Sequence, residues 1–329
     1  MRTLVTGGAG FIGSTLVDRL VHDGHDVVVV DDLSTGRLEN LADAFTSGRV
    51  QLAEADVAGP ELAGVVAKAR PEVVHHLAAQ VDVRRSVAEP ALDARINVLG
   101  TIQVARAALD AGCRRLVFAS SGGTVYGEPD PGDLPIDERY PPRVTNPYGV
   151  SKRAAEDYLG SFAELDGLEP VSLRLANVYG PRQDPNGEAG VVAIFCNRLL
   201  SDQPVTVFGD GLQTRDYVFV DDVVDAFAAA GERKELAGAG EGFTGMRLNI
   251  GTGIASSVLD LYGALRAVTG FGPEPSFAPP RPGELQAIAL ACGQAERVLG
   301  WRPRFDLAAG LERTWAWAFQ EVNAGSVGG

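Results

Sequence analysis

The chain has 329 residues, room for one large domain or two intimate ones with ample core. Hydrophobic residues make up 45% and charged residues 22%, as in an ordinary soluble protein, and the net charge of −14 argues against nucleic acid or an anionic membrane surface as partner. No apolar run approaches the roughly 20 residues that span a bilayer. The first residues enter a strand at once, which leaves no room for a signal peptide, so a cytoplasmic chain is expected. Cys113, Cys196 and Cys292 are odd in number and scattered, and His22, His25, His75 and His76 lack metal-ligand spacing, so neither a disulfide framework nor a metal is expected.

In chain order, an apolar segment Arg2–Thr6 leads into Thr6-Gly7-Gly8-Ala9-Gly10-Phe11-Ile12-Gly13 and then a helical stretch from Thr15 to Val21. Strand, glycine turn and helix is the order in which Gly8-x-Gly10-x-x-Gly13 marks a dinucleotide site: the turn is tight, and the helix N-terminus faces a pyrophosphate. The next strand, Val27–Asp31, ends in an acid about 20 residues beyond the motif, where a ribose-binding carboxylate is expected. Asp31, with Asp32 beside it, would repel a 2′-phosphate, which favours NAD over NADP; Arg37 is the one nearby residue that argues otherwise.

Further short apolar strands are expected at Val50–Ala55, Val73–Leu77, Arg115–Ser120 and Pro170–Ala176, without the polar alternation of a half-exposed sheet. Helical patterns separate them, the clearest at Ala94–Asp110, ending at Ala111-Gly112, and at Val150–Glu164. This alternation specifies an α/β fold with a doubly wound parallel (Rossmann) sheet. After about Asn177 the rhythm breaks. Gly- and Pro-rich loops (Gly180–Gly190, Phe271–Gly283) separate helices near Val191–Leu200, Val258–Thr269 and Leu307–Val322 from strands near Val205–Phe208, Asp216–Val220 and Met246–Gly251. Residues 1–176 therefore read as the NAD-binding domain, with segments near 216–252 returning to it, and 177–329 as mainly a smaller substrate lobe. Gly238–Gly245 reads as a flexible surface loop and Asn323–Gly329 as a disordered tail.

Within Tyr148-Gly149-Val150-Ser151-Lys152, a helix starting near Pro147 places Tyr148 and Lys152 one turn apart on one face. A tyrosine titrating near pH 10 is a poor base at neutral pH; an ammonium one turn away, with a positive nicotinamide ring, is expected to lower that pKa. Downstream of a complete dinucleotide motif, the pair reads as catalytic.

With these residues in view, the chain resembles an extended short-chain dehydrogenase/reductase, specifically the nucleotide-sugar epimerases of the UDP-glucose 4-epimerase group. The matching segments run nearly end to end: Thr6–Gly13, Asp31–Gly36, Asp56-Val57, His76–Ala79, Asn97–Thr101, Ser120–Gly127, Asn146–Lys152, Asn177–Arg182, Arg215–Val218 and Arg281-Pro282-Gly283-Glu284. The resemblance implies that Gly7, Gly10, Phe11 and Ile12 line the pyrophosphate of NAD, that Asp31, Asp32, Ser34 and Gly36 lie at the adenosine ribose, and that Asp56 and Val57 flank adenine. It places Leu77, Ala78, Ala79, Asn97 and Ser120 along the cofactor cleft, and Lys152 on the nicotinamide ribose. Tyr148 is then the base for the sugar 4-hydroxyl while hydride leaves C4 for NAD and later returns to the opposite face of a 4-keto intermediate. Arg84, Ser121, Gly122, Thr124, Asn177, Arg182, Val207, Arg215, Arg281 and Glu284 are implied to contact a UDP-sugar. A homodimer through paired helices such as Ala94–Asp110 and Val150–Glu164 is also implied, as is a role in galactose metabolism.

One departure stands out. Related sequences carry a serine, bonded to the sugar 4-oxygen, at the position of Gly122. Thr124, two residues on and on the same side of an extended chain, is expected to supply the hydroxyl, with Ser121 as second choice. Sugar-nucleotide 4,6-dehydratases place an acid pair where Gly123-Thr124 stand, so dehydration is not expected. Arg84, Arg85 and Arg182 leave UDP-glucuronate as an alternative substrate, and Ile288, near the gate for an N-acetyl group, leaves UDP-N-acetylglucosamine open. A net sugar-nucleotide oxidoreductase and a non-catalytic NAD-binding regulator are the readings from other classes.

Overall fold

A computed structural model describes residues 1–185, 190–233, 245–281 and 283–326. Its strands, in chain order, are β1 (Arg2–Thr6), β2 (Asp26–Asp31), β3 (Val50–Glu54), β4 (Val73–His76), β5 (Arg115–Ser121), β6 (Glu169–Leu175), β7 (Asn177–Tyr179), β8 (Thr206–Phe208), β9 (Thr214–Arg215), β10 (Tyr217–Phe219), β11 (Met246–Ile250), β12 (Ser256–Ser257) and β13 (Ser276–Ala278). Seven form one sheet in the order β11-β6-β5-β4-β1-β2-β3, with every pairing parallel. The order reverses between β1 and β4, and ligands of doubly wound sheets bind at the carboxyl ends of strands around such a switch.

The inner strands are mostly apolar because helices cover both faces. Val5 and Val29 point to one side, where Leu16, Val17 and Leu20 of helix Phe11–His22 meet Val223 and Phe227 of helix Val220–Glu232. Leu4, Val74 and Phe118 point to the other, against Val104 and Ala108 of Gly100–Asp110 and Ala155 and Leu159 of Pro147–Asp166. Beyond the sheet, β7 pairs with β10, β8 with β13 and β9 with β12. A small third cluster joins Tyr126 and Ile136 to Ile288 and Leu290.

Boundaries follow local chemistry. Asn146 caps helix Pro147–Asp166 by accepting from the Gly149 amide at 2.8 Å, Pro147 supplies its first turn, and Gly167 ends it at φ 71°. The helix expected at Ala94–Asp110 starts earlier, at Pro90, and contains a π-turn at Arg95–Leu99. Helix Val220–Glu232 was not anticipated, because strand β10 runs into it with no glycine or proline between them. The segment Phe271–Gly283 is not only loop, since β13 lies within it. Helix Leu307–Ser326 extends into the segment expected to be a disordered tail, whose last residues, 327–329, lie outside the described set, as do residues 238–244 of the expected surface loop. Among the described residues no helix is long and apolar enough to cross a membrane.

Candidate active site

The glycine turn is shaped by close backbone contacts. Gly7 sits at φ 69°, and a Cβ there would lie 2.7 Å from the Ala78 nitrogen; a Cβ on Gly13 would lie 2.0 Å from the Gly7 oxygen. The turn thus packs directly against Leu77-Ala78 at the end of β4, and no larger residue fits at either position. Thr6 Oγ1 pins the same crossing by accepting from the Leu77 and Ala78 amides at 3.2 Å each. It is also 2.7 Å from His76 Nδ1, while His76 Nε2 lies 3.0 Å from Thr101 Oγ1, whose hydroxyl donates to the Asn97 carbonyl. That chain leaves one consistent assignment: Thr6 donates to Nδ1 and the Nε2–H donates to Thr101. Burial, with the Lys152 charge adding to it, drops His76 to about 3, so it is a neutral structural connector. His75 beside it is buried against Phe227 and also falls to about 3 by burial.

Asp31 stands at the end of β2, 7% exposed, with Oδ2 accepting from the Ala9 amide and Oδ1 from the Leu33 amide, both at 2.9 Å. It therefore fastens the glycine turn to the second strand, and its burial raises its pKa. A Cβ on Gly36 would come within 2.7 Å of Asp31 Oδ1, which accounts for glycine there. Asp32 accepts from both the amide and the hydroxyl of Ser34, at 3.0 and 2.6 Å. Asp56 accepts from the Ala58 amide and pairs with Arg95 at 2.8 Å; burial pushes it up, but those two partners more than offset that and its pKa is lowered. Val57 is buried, its Cγ2 2.9 Å from where a Cβ on Gly100 would stand. Phe11 and Ile12 open the first helix and Gly10 precedes it as N-cap, leaving the free amides of that helix end beside the turn. These features fit a dinucleotide: a cradle with no room for side chains, free helix-end amides, and an acid on the neighbouring strand.

Tyr148 and Lys152 do lie one turn apart at the start of helix Pro147–Asp166. Lys152 is 2% exposed, donates from Nζ to the Ala119 carbonyl at 2.9 Å, and holds that nitrogen 5.8 Å from the centre of the Tyr148 ring and 4.8 Å from that of Phe118. The expected lowering of the tyrosine pKa is not found in the protein alone. Burial, with the Asp93 charge adding to it, raises Tyr148, while burial lowers Lys152 to about 8 against the opposing charges of Asp93 and Glu156. The reason is desolvation: in an apolar cleft, both the phenolate and the ammonium lose water before they gain each other.

The chain between β5 and that helix is not extended at Thr124, as the spacing argument assumed. β5 stops at Ser121, and Gly122–Val125 forms one helical turn. Thr124 lies within that turn, its Oγ1 buried and without a hydrogen-bond partner among the described residues. A serine in place of Gly122 would have to displace the Leu290 side chain: its Cβ would stand 2.5 Å from Leu290 Cδ1. Ser120, expected on the cofactor, spends its hydroxyl on Glu156 Oε1 at 2.6 Å. Glu156 is bonded in turn by Arg174 Nε at 2.9 Å and Nη2 at 2.6 Å, and Arg174 donates to the Tyr126 hydroxyl, which donates to Asn249. This buried network was missed in the sequence, although Glu156 falls one turn after Lys152 on the same face.

On the other side of the cleft, Arg215 Nη2 lies 3.4 Å from Glu284 Oε1, and Asn177 begins the strand hydrogen-bonded to β10. Between them Asp216, 1% exposed, accepts from Thr252, Gly253 and Leu290 and ties three segments together. Arg281 stacks on Phe208, its guanidinium carbon 4.0 Å from the ring centre. Three expectations need correction here. Val207 is fully buried, its Cγ1 beneath Gly211, because strand alternation turns it inward and leaves Phe208 on the open side. Arg182 pairs with Asp18 of the first helix at 2.7 Å, so its guanidinium is committed away from a sugar carboxylate. Ile288 is buried in the cluster with Tyr126, Ile136 and Leu290, not set at an opening. Arg84 is exposed on helix Val83–Ala88.

The model of the NAD dependent epimerase/dehydratase family matches residues 3–251. The chain belongs to that family. A UDP-glucose 4-epimerase of Mycolicibacterium smegmatis is 50% identical over 95% of this chain and 97% of its own. The crystal structure of a UDP-glucose 4-epimerase from Thermotoga maritima with UDP-glucose is 42% identical, covers 98% of this chain and 100% of its own, and superposes with a TM-score of 0.91. That of a Thermus thermophilus UDP-glucose 4-epimerase with NAD is 41% identical, covers 97% and 99%, and has a TM-score of 0.86. Full-length agreement of this kind carries the family's Rossmann sheet and its NAD dependence to this member.

Proposed function

We propose that the chain is a UDP-glucose 4-epimerase, inverting C4 of a UDP-hexose with NAD as resident cofactor. The observation that carries this reading is the placement of Tyr148 and Lys152 one turn apart, with Lys152 bonded to the Ala119 carbonyl near the carboxyl end of the fifth strand and Thr124 in the turn that follows that strand. Held at the glycine cradle of Gly7 and Gly10 and by Asp31, NAD would supply a reversible hydride acceptor for C4 of the sugar. Lys152, fixed on the Ala119 carbonyl, holds its charge beside the phenol. Tyr148 accepts the proton of the 4-hydroxyl and later returns it, and Thr124 hydrogen-bonds the 4-oxygen. Gly123 and Thr124 offer no acid pair for eliminating water. Arg215 and Arg281, with Asn177 and Glu284, are assigned to the nucleotide diphosphate, and Phe208, held by Arg281, adds an aromatic face there. Arg182, spent on Asp18, gives no support to UDP-glucuronate as substrate.

The same reading divides the chain into an NAD-binding part, 1–176, and a mainly substrate-binding part, 177–329, and places it in the cytoplasm in galactose metabolism. A homodimer is supported by apolar side chains left open on two neighbouring helical segments: Leu99 (45% exposed), Val150 (52%), Tyr158 (48%) and Leu165 (78%). The test is incubation with UDP-glucose, UDP-N-acetylglucosamine and UDP-glucuronate, following C4 stereochemistry by NMR. Turnover of UDP-glucose to UDP-galactose without accumulation of NADH is expected; net NADH formation, or no turnover by protein carrying NAD, would overturn the reading.

A further inference from the structure

Asp93 lies one turn before Asn97 at the edge of the π-turn, only 1% exposed, and the catalytic proposal makes no use of it. Its Oδ1 accepts from Gln80 Nε2 and from Asn97 Nδ2, both at 3.0 Å. Its Oδ2 is buried without a hydrogen-bond partner among the described residues. A π-turn costs regular helix hydrogen bonding and recurs at functional sites. Here it sets Asn97 so that Nδ2 also reaches Ser151 Oγ at 3.2 Å, and Ser151 Oγ donates to the Tyr148 carbonyl at 2.9 Å. Asn97 Nδ2 also donates to the Gln80 carbonyl at 2.9 Å, so the relay from the buried carboxylate to the backbone of the reacting tyrosine shares its two hydrogens among three acceptors.

We propose that Asp93 is a positioning residue whose fixed negative charge, seated on this relay, sets where on the pH scale the Tyr148–Lys152 pair works. The inference rests on the assignment of those two residues as the reacting pair. An unpaired carboxylate oxygen in a dry site is costly to keep unless something nearby benefits from its charge. Lys152 is such a group: burial takes it down to about 8, and Asp93, ahead of Glu156, is the charge that opposes further loss of its proton. The same charge adds to burial in raising the Tyr148 phenol above its ordinary range. The other charged groups around the pair are committed elsewhere. Glu156 is held by Arg174 and Arg247, His76 is neutral, Arg95 pairs with Asp56, and Arg85 pairs outward with Glu89. Arg84 is exposed, and Asp82 caps the Val83–Ala88 helix by accepting from the Arg85 amide.

The test is the pH profile of kcat for the NAD-loaded full-length Asp93→Asn enzyme against wild type. Asparagine keeps an oxygen for Gln80 and Asn97, removes the charge and places an amide NH2 where Oδ2 stood. Loss of a negative charge lowers the pKa of both an acid and an ammonium, so both limbs of the profile should move toward acid, each by about one pH unit. A profile that only loses height, with its limbs in place, would mean a merely structural Asp93 and overturn the proposal, as would a shift toward alkali. If Asp93→Asn fails to fold or to retain NAD, Asp93→Thr, smaller and also uncharged, is read by the same criterion. Tyr148→Phe measured in parallel separates the two claims: retained activity there would sink the assignment of the pair, whereas unmoved limbs with an inactive Tyr148→Phe sink only the role of Asp93.

Discussion

Leu290 Cδ1 lies 2.5 Å from where a Cβ on Gly122 would stand, so a serine there would have to displace the Leu290 side chain of the segment that follows Glu284. The proposed source of the hydroxyl is Thr124, whose Oγ1 is buried and has no hydrogen-bond partner among the described residues. Two opposite effects follow from one substitution. Thr124→Val should lower kcat by about 10²-fold or more, since a positioned proton-transfer partner is worth that much. It should leave the melting temperature unchanged or slightly raised, because it removes a buried polar atom that has no partner. Steady-state kinetics and calorimetry on the same preparation check both; unchanged kcat would reassign the hydroxyl to Ser121.

Restoring serine at residue 122 tests the packing side of the same relationship. Gly122→Ser should destabilise the fold by about 1–3 kcal/mol through overpacking against Leu290. Combining it with Leu290→Ala should recover part of that loss, and denaturant titration of the two variants measures the coupling.

Lys152 links function to stability. Its folded value of about 8 lies below its ordinary 10.5, so between those values the unfolded chain holds the proton that the folded chain has released. Stability from this group therefore rises with pH through that window, and its full cost is present below it. Lys152→Met should abolish epimerisation yet make the NAD-free protein more stable at pH 7, by about 1–2 kcal/mol after loss of the Ala119 hydrogen bond. Urea denaturation at pH 7 and 10 should show the gain shrinking at the higher value.

Glu128 offers a test of how the two sides of the cleft are held together. Its carboxylate accepts from the Gln286 and Ala287 amides at 2.8 and 3.2 Å, just beyond Glu284 and four residues after Thr124. Glu128→Ala should raise KM for the UDP-sugar about five- to tenfold with kcat little changed, since it loosens the segment bearing Arg281 and Glu284 without touching Tyr148. Equal losses in kcat and kcat/KM would contradict that division.

Much of the NAD side was legible because its determinants are local. Gly7, Gly13 and Asp31 act within one strand-turn-helix-strand unit, and glycine at a steric crossing has no substitute. The helix bearing Tyr148 and Lys152 announces itself through Asn146 and Pro147 at its start and Gly167 just past its end. The substrate side was read less well. A one-residue error between Val207 and Phe208 reverses which side chain faces the cleft, and in a three-residue strand no alternation is long enough to fix the register. Arg182 looked available until its position beside Asp18, 164 residues earlier, was known from the fold.

What the amino-acid order determined by itself was therefore the cofactor cradle and the one-turn spacing of the phenol and the amine, because backbone sterics and helical periodicity act over a few residues. What only the tertiary structure decided was the electrostatic state of that pair and the packing of Leu290 against Gly122. Desolvation, the buried Asp93 charge and the Leu290 contact with Gly122 all arise between segments far apart in the chain. Their strength depends on distance and dielectric, and neither is written in a linear sequence.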